Sequence, residues 1–256
     1  MRNTFTFNGV SSANFGMYIS GSGRLGVPQR PYEFTSVPGR MGDLILGGNK
    51  LNNEIITYPA FIAPVNGSYG SYATLEAAIS AIRNTFLAVD GYATLSDTYD
   101  STHYRKACFS GPLELQYSSD LKTVEFEISF NAKPQRYFSN GGTTTTISSG
   151  SNQTFSCTGK RAAPIYEVTG TGYFIISGST GGAYTTIDRP VITENDTKIF
   201  IDTDRMECYD AQGNSENLNV NTYFKQINKP FKDVFTSVKI TTSGVTVKVT
   251  FNWYEL

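Results

Sequence analysis

Val124-Glu-Phe-Glu-Ile-Ser-Phe-Asn131 decides the fold class. Val124, Phe126, Ile128 and Phe130 alternate with Glu125, Glu127, Ser129 and Asn131, so an extended backbone sends apolar side chains to one face and polar ones to the other. That two-sided pattern belongs to an antiparallel sheet with one wet face. Outward from this stretch the same period recurs. Thr4-Phe-Thr-Phe-Asn8 alternates and stops at Gly9, Phe15–Ile19 reads as a second short strand, and Tyr92–Leu95, Tyr104–Phe109 and the run Leu113, Leu115, Tyr117 continue the series. Leu44–Leu46 and Glu54–Tyr58 flank Gly47-Gly48-Asn49, which predicts a hairpin between them with a long polar tip over Gly47–Asn53. Pro134 is expected to end the Val124 strand.

One segment breaks the alternation. Leu75, Ile79, Ile82 and Phe86 recur at helical spacing, with Ala77, Ala78 and Ala81 between them. Ser71 suits an N-cap, Glu76 favours the positive end of the helix dipole, and Asp90-Gly91 supplies a stop. A single apolar stripe predicts a helix lying on a sheet.

Beyond the Val124 strand, Ser139–Thr154 is Gly, Ser, Thr and Asn with only Ile147 to bury. Such a composition offers little to offset the entropy of ordering, so it reads as a loose linker or long surface loop dividing the chain near residue 140. The second half is all β by pattern, with strands expected at Thr154–Cys157, Ile165–Thr169, Tyr173–Ile176, Lys198–Ile201, Met206–Tyr209, Ser237–Thr241 and Val245–Trp253. In the last of these, Val245, Val247, Val249, Phe251 and Trp253 share one face. Short strands in such number without a helix predict a sandwich.

The whole chain of 256 residues has room for two modest cores. Charged residues make up only 17% and aromatics 13%, which favours sheet over helix and leaves a Ser, Thr, Asn and Tyr surface. A net charge of −1 with no basic block lacks the footprint that phosphate contacts demand, which argues against nucleic-acid binding as a primary role. No stretch approaches the roughly 18 apolar residues of a membrane span. Met1–Gly9 has no signal-like apolar run, and Cys108, Cys157 and Cys208 are odd in number and widely spaced. The expectation is reduced thiols in a chain made in a reducing cytoplasm.

Chemistry-bearing patterns are few. Gly21-Ser-Gly-Arg-Leu-Gly26 matches G-x-G-x-x-G, but Pro28 and Pro31 follow where a phosphate-binding helix would have to open, so it reads as a loop. His103 is the sole histidine, and Asp97 and Asp100 near it are ordinary turn formers rather than a metal set. Asp202, Asp204, Asp210 and Glu216 do not have calcium-loop spacing and read as turns. No carboxylate pair is nominated for glycosidase chemistry, and Cys108 has no adjacent histidine. No catalytic residue, cofactor or metal is therefore expected.

An ordered set of features over residues 3–138 resembles the distal tail (Dit) proteins of siphophages and their prophage relatives. These features are Phe5-Thr-Phe-Asn-Gly9, Phe15-Gly-Met-Tyr18, Pro38-Gly-Arg-Met-Gly-Asp-Leu44, Tyr58-Pro-Ala-Phe61, Gly91-Tyr-Ala-Thr-Leu-Ser-Asp-Thr-Tyr-Asp100, Tyr104-Arg-Lys-Ala107 and Phe130-Asn-Ala-Lys-Pro-Gln-Arg-Tyr137. Pro164-Ile-Tyr-Glu-Val168, Ile199-Phe-Ile-Asp202 and Trp253 extend the resemblance more weakly, and Ile227-Asn-Lys-Pro-Phe-Lys-Asp233 departs from a turn that relatives carry within Phe224–Val238.

The resemblance implies a mainly β protein. Residues 1–138 would be a ring-forming N-terminal β-sandwich with one α-helix and a projecting β-hairpin, 139–154 a linker, and 155–256 a peripheral galectin-like or carbohydrate-binding-module-like β-sandwich. It implies a hexameric ring at the tip of a virion tail, between the tail-tube protein and the tail-associated, receptor-binding and baseplate proteins, with no enzymatic role, no sequence-specific nucleic-acid binding and no membrane insertion. A carbohydrate-binding sandwich contacting the host surface through Tyr173, Phe174, Tyr184, Tyr209, Tyr223 or Trp253 is the alternative. Pro38, Gly39, Arg40, Gly42 and Asp43 are the candidate ring interface: opposite charges stand beside glycines that let backbones approach closely. The competing expectation is that this hairpin folds back on its own sandwich and Arg40 pairs within the chain.

Overall fold

A computed structural model describes residues 2–21, 27–47, 51–193, 198–224 and 235–256. All of the Gly21–Gly26 motif after Gly21, the turn at 48–50 and the Ile227–Asp233 departure lie outside the described residues. The protein is mainly antiparallel β, with one α-helix among the described residues. It divides into two compact units, Met1–Arg136 and Tyr137–Glu255.

The first unit is a curled sheet built from β1 (Phe5–Phe7), β2 (Val10–Ser11), β3 (Met17–Ile19), β6 (Glu54–Ile62), β7 (Ala93–Asp97), β8 (Asp100–Phe109), β9 (Gln116–Tyr117) and β10 (Val124–Phe138), while β4 (Tyr32–Thr35) and β5 (Leu44–Gly47) form a separate two-stranded ribbon. The order is β2-β1-β7-β8-β10-β6-β3, with β9 beside β10. Central β10 behaves as its sequence requires. Val124, Phe126, Ile128 and Phe130 are buried, and Glu125 and Glu127 are exposed. Its register with β6 runs unbroken from Val124↔Ile62 to Ala132↔Glu54.

Helix α1 (Leu75–Leu87) lays Leu75, Ala78, Ile82 and Phe86 on the inner sheet face. Phe86 meets the rings of Phe5, Phe7, Phe109 and Phe130 at centroid separations of 5.5–6.2 Å. Each such pair adds about 0.5–1.5 kcal/mol to the burial of the rings. Thr74, not Ser71, is the N-cap, its hydroxyl accepting from Ala77 N–H. Ser71 instead gives its N–H to the Asn14 carbonyl (2.8 Å), a tertiary use that local sequence cannot reveal.

Two sequence expectations fail at the end of this unit. Pro134 does not stop β10, which runs on to Phe138. The presumed linker 139–154 instead carries two strands, β11 (Thr144–Ile147) and most of β12 (Asn152–Ser156). β11 is ordered by pairing with the strand Thr246–Thr250, from Thr144↔Thr250 to Ile147↔Val247, so ladder bonds replace the apolar burial its composition lacks.

The second unit continues with β13 (Ile165–Thr169), β14 (Gly172–Ser179), β15 (Thr185–Asp188), β16 (Val191–Ile192), β17 (Ile199–Asp202), β18 (Glu207–Asp210), β19 (Val220–Asn221), β20 (Ser237–Ser243), β21 (Thr246–Thr250) and β22 (Tyr254–Glu255). One sheet is ordered β11-β21-β13-β17-β18 and the other β12-β20-β14-β16-β19, with β15 on β14. Their inner faces, among them Tyr166, Val168, Ile201, Val247 and Val249 against Phe174, Ile176, Val238 and Ile240, form one core. This is the sandwich that the alternating pattern predicts. The last apolar stripe holds through Phe251, after which Asn252 takes a left-handed turn (φ 51°) and Trp253 stacks on Phe251 at 4.5 Å.

Candidate functional site

The candidate interface residues occupy the tip of the ribbon. β5 pairs with β4, from Thr35↔Leu44 to Tyr32↔Gly47, and not with β6 as the sequence suggests. Three prolines around Tyr32-Glu-Phe-Thr35 (Pro28, Pro31 and Pro38) hide this strand from pattern reading, although its alternation is the signal that could have found it. The tip is therefore the connection between β4 and β5. Pro38, Gly39, Arg40, Gly42 and Asp43 all lie in it, and all are exposed. Arg40 N–H closes a turn onto the Val37 carbonyl (3.1 Å). Gly39 and Gly42 take φ values of 79° and 80°, a left-handed backbone that any other residue would strain.

The ribbon also carries what the sequence reading missed. Tyr32, Phe34, Val37, Met41, Ile45 and Leu46 are all exposed, Phe34 at 63% and Met41 at 102%. A two-stranded ribbon is marginal in water by itself, and this one carries exposed apolar side chains on both of its faces. Arg40 and Asp43 have no ion-pair partner among the described residues.

Asp97, Asp100 and His103 do come together, but as part of a structural network. Asp97 Oδ1 accepts from the N–H groups of Tyr99 (2.9 Å) and Asp100 (3.1 Å), which makes the expected turn. The Tyr58 hydroxyl donates to Asp97 Oδ2 at 2.8 Å. Asp100 Oδ2 lies 2.8 Å from Arg136 Nη2 and 3.0 Å from His103 Nδ1. Burial opposes ionisation of Asp100, but hydrogen bonds from the Thr102 hydroxyl and the Arg136 guanidinium outweigh it and hold the carboxyl well below the usual carboxylate range. The guanidinium thus sits where a metal ion would have to approach. Nearby, Arg105 Nη1 and Glu54 Oε2 form a buried pair at 2.9 Å. Burial lowers the Arg105 pKa, and Glu54 counters that shift.

In the second unit Asp202 accepts from Asp204 and Arg205 N–H, and Asp210 from Gln212 and Asn214 N–H, so these carboxylates cap turns. Cys157 and Cys208 are buried free thiols, pushed by burial up to about 11 and about 12, and Cys108 is a half-buried free thiol. Of the aromatics considered for sugar stacking, Phe174 is core, Tyr209 stacks on Phe200 (5.5 Å) and Tyr173 lies under Arg189 (4.0 Å). Tyr184 and Tyr223 remain exposed.

Comparison by sequence finds no matching protein family and no matching curated protein. Comparison by structure finds matches over the full length. The Dit protein of phage SPP1, a paradigm of hub adsorption apparatus in phages infecting Gram-positive bacteria, superposes with a TM-score of 0.68 at 10% identity, over 100% of this chain and 99% of that one. A chain of the phage P2 baseplate in its activated conformation with Ca aligns with a TM-score of 0.50 at 10% identity, over 97% and 98% of the two chains. The same baseplate with Sr gives a TM-score of 0.50 at 10% identity, over 99% and 96%. The chain is thus similar in fold, from end to end, to the SPP1 Dit hub protein and to a component of the P2 baseplate.

Proposed function

We propose that this protein is a structural, non-enzymatic hub at the distal end of a siphophage-type tail. In this reading the first unit assembles head to tail into a homohexameric ring. One face of the ring meets the tail-tube protein, and the other holds the tail-associated, receptor-binding and baseplate proteins at the virion tip. The second unit is peripheral and galectin-like. The observation that carries the reading is the exposed ribbon on a fold similar to a phage hub protein along its full length. The exposed apolar side chains of the ribbon are where a neighbouring copy would bury surface, and the tip supplies charge at the edge of that contact. A contact between unlike surfaces that closes by rotation makes a ring. Saccharide binding by the second unit is the weaker reading, resting on Tyr184 and Tyr223 as exposed rings.

Arg40→Glu tests the contact. The variant should keep the circular dichroism of the parent and lose ring mass in sedimentation velocity. A folded variant that assembles like the parent contradicts a role for the tip. One that fails to fold points to an intrachain role for Arg40.

A further inference from the structure

We propose that an acidic groove on the outer face of β6 and β10 receives the ribbon tip of a second copy of this chain. This deepens the ring reading above and rests on it. The groove arises where the sheet parts. Ser110 N–H still bonds the Ser129 carbonyl (3.1 Å), and Gln116 pairs with Glu125, but the chain between them leaves β10. The opening has a volume of about 640 Å³ and is lined by Pro59, Phe61, Pro112, Glu114, Glu125 and Glu127 among others. In the β6–β10 register Glu125 stands opposite Phe61 and Glu127 opposite Pro59, so carboxylates stand beside two apolar side chains in a lining that is mostly polar. Glu114, Glu125 and Glu127 are exposed, and none has an ion-pair partner among the described residues.

Like charges crowded beside apolar surface favour a partner that brings a cation together with an adaptable apolar side chain. Arg40-Met41 is that combination. A guanidinium can bridge carboxylates with paired donors, and the unbranched thioether of Met fits irregular apolar surface. Met41 is fully exposed, so the groove of its own chain does not receive it. The ribbon leads into β6 ahead of Glu54, whereas the groove flanks Pro59 and Phe61 near the far end of that strand. Donor and acceptor are therefore different surfaces, which permits the head-to-tail contact that a ring needs.

The test is a charge exchange read by sedimentation velocity, with circular dichroism as the control for folding. Glu125→Lys with Glu127→Lys should weaken ring assembly at least about tenfold, as should Arg40→Glu, because each leaves like charges facing across the contact. Combining the three substitutions should recover a large part of the loss. Should the groove variant not fold, Glu114→Lys on the loop takes its place. Normal assembly of the groove variant, or loss without recovery in the combination, overturns the pairing; if Arg40→Glu alone still disrupts the ring, the ring reading stands. A parent protein that forms no ring overturns both.

Discussion

The two units bury polar chemistry in different ways. The first places opposite charges on different strands of one sheet. Arg105 of β8 faces Glu54 of β6 at 2.9 Å, and Arg136 of β10 meets Asp100 of β8 at 2.8 Å. The second surrounds its most buried carboxylate, Asp188, with neutral donors. Asp188 accepts from Arg189 N–H (2.8 Å), Tyr223 N–H (3.3 Å) and the Thr222 hydroxyl (2.8 Å), and the other buried ionisable groups there include two thiols and the Tyr166 phenol. Charge paired across strands ties the sheet of the first unit together at the cost of desolvating both partners, so loss of one partner is severe. Amide and hydroxyl donors hold a carboxylate without committing a second charge.

The largest expected effect breaks this comparison directly. Arg105→Met should cost about 3–5 kcal/mol in urea unfolding, because Glu54 is left buried without its counter-charge. Adding Glu54→Gln should recover much of that. Asp188→Asn should cost only about 1–3 kcal/mol, the scale of unmade hydrogen bonds; equal costs would erase the distinction.

A second expectation sets the units against each other by pH. The depressed carboxyl of Asp100 stabilises the folded state fully above its unfolded pKa of about 3.9 and loses that contribution as pH falls below it. Cys157 and Cys208, at about 11 and about 12 when folded, stabilise fully below their unfolded value, and that contribution is lost as pH rises past it. Trp253, the sole tryptophan, reports on the second unit alone. Alkali should therefore complete the change in tryptophan fluorescence while part of the circular dichroism remains, whereas acid, which also protonates the depressed carboxyls of Glu167 and Asp210 in the second unit, should move both signals together. The smallest effect is Tyr166→Phe. Its hydroxyl is buried with no hydrogen-bond partner among the described residues, so the change should stabilise the second unit by up to about 1 kcal/mol.

Strands that bury one face were legible because their own residues carry the period, as Val124–Phe130 and Val245–Phe251 do. So was the stripe of the helix, from Leu75 to Phe86. What escaped depends on partners distant in sequence. The Thr144–Ile147 strand buries only Ile147 and is ordered by its ladder to β21. The Tyr32–Thr35 strand is exposed on both faces, so burial leaves no signature in it. The chemistry of the tip residues is legible in sequence, but their partner strand is not, because Gly47-Gly48-Asn49 carries the stronger turn signal and points to pairing of Leu44–Leu46 with Glu54–Tyr58.

The central claim is that the exposed ribbon is half of a contact between copies of the chain. Sedimentation velocity of the unaltered protein over a range of concentrations tests it most directly. A species of hexameric mass built from 28.1 kDa chains is expected, growing at the expense of monomer as concentration rises. A folded protein that stays monomeric up to about 100 μM, weaker than specific assembly of this kind requires, would contradict it.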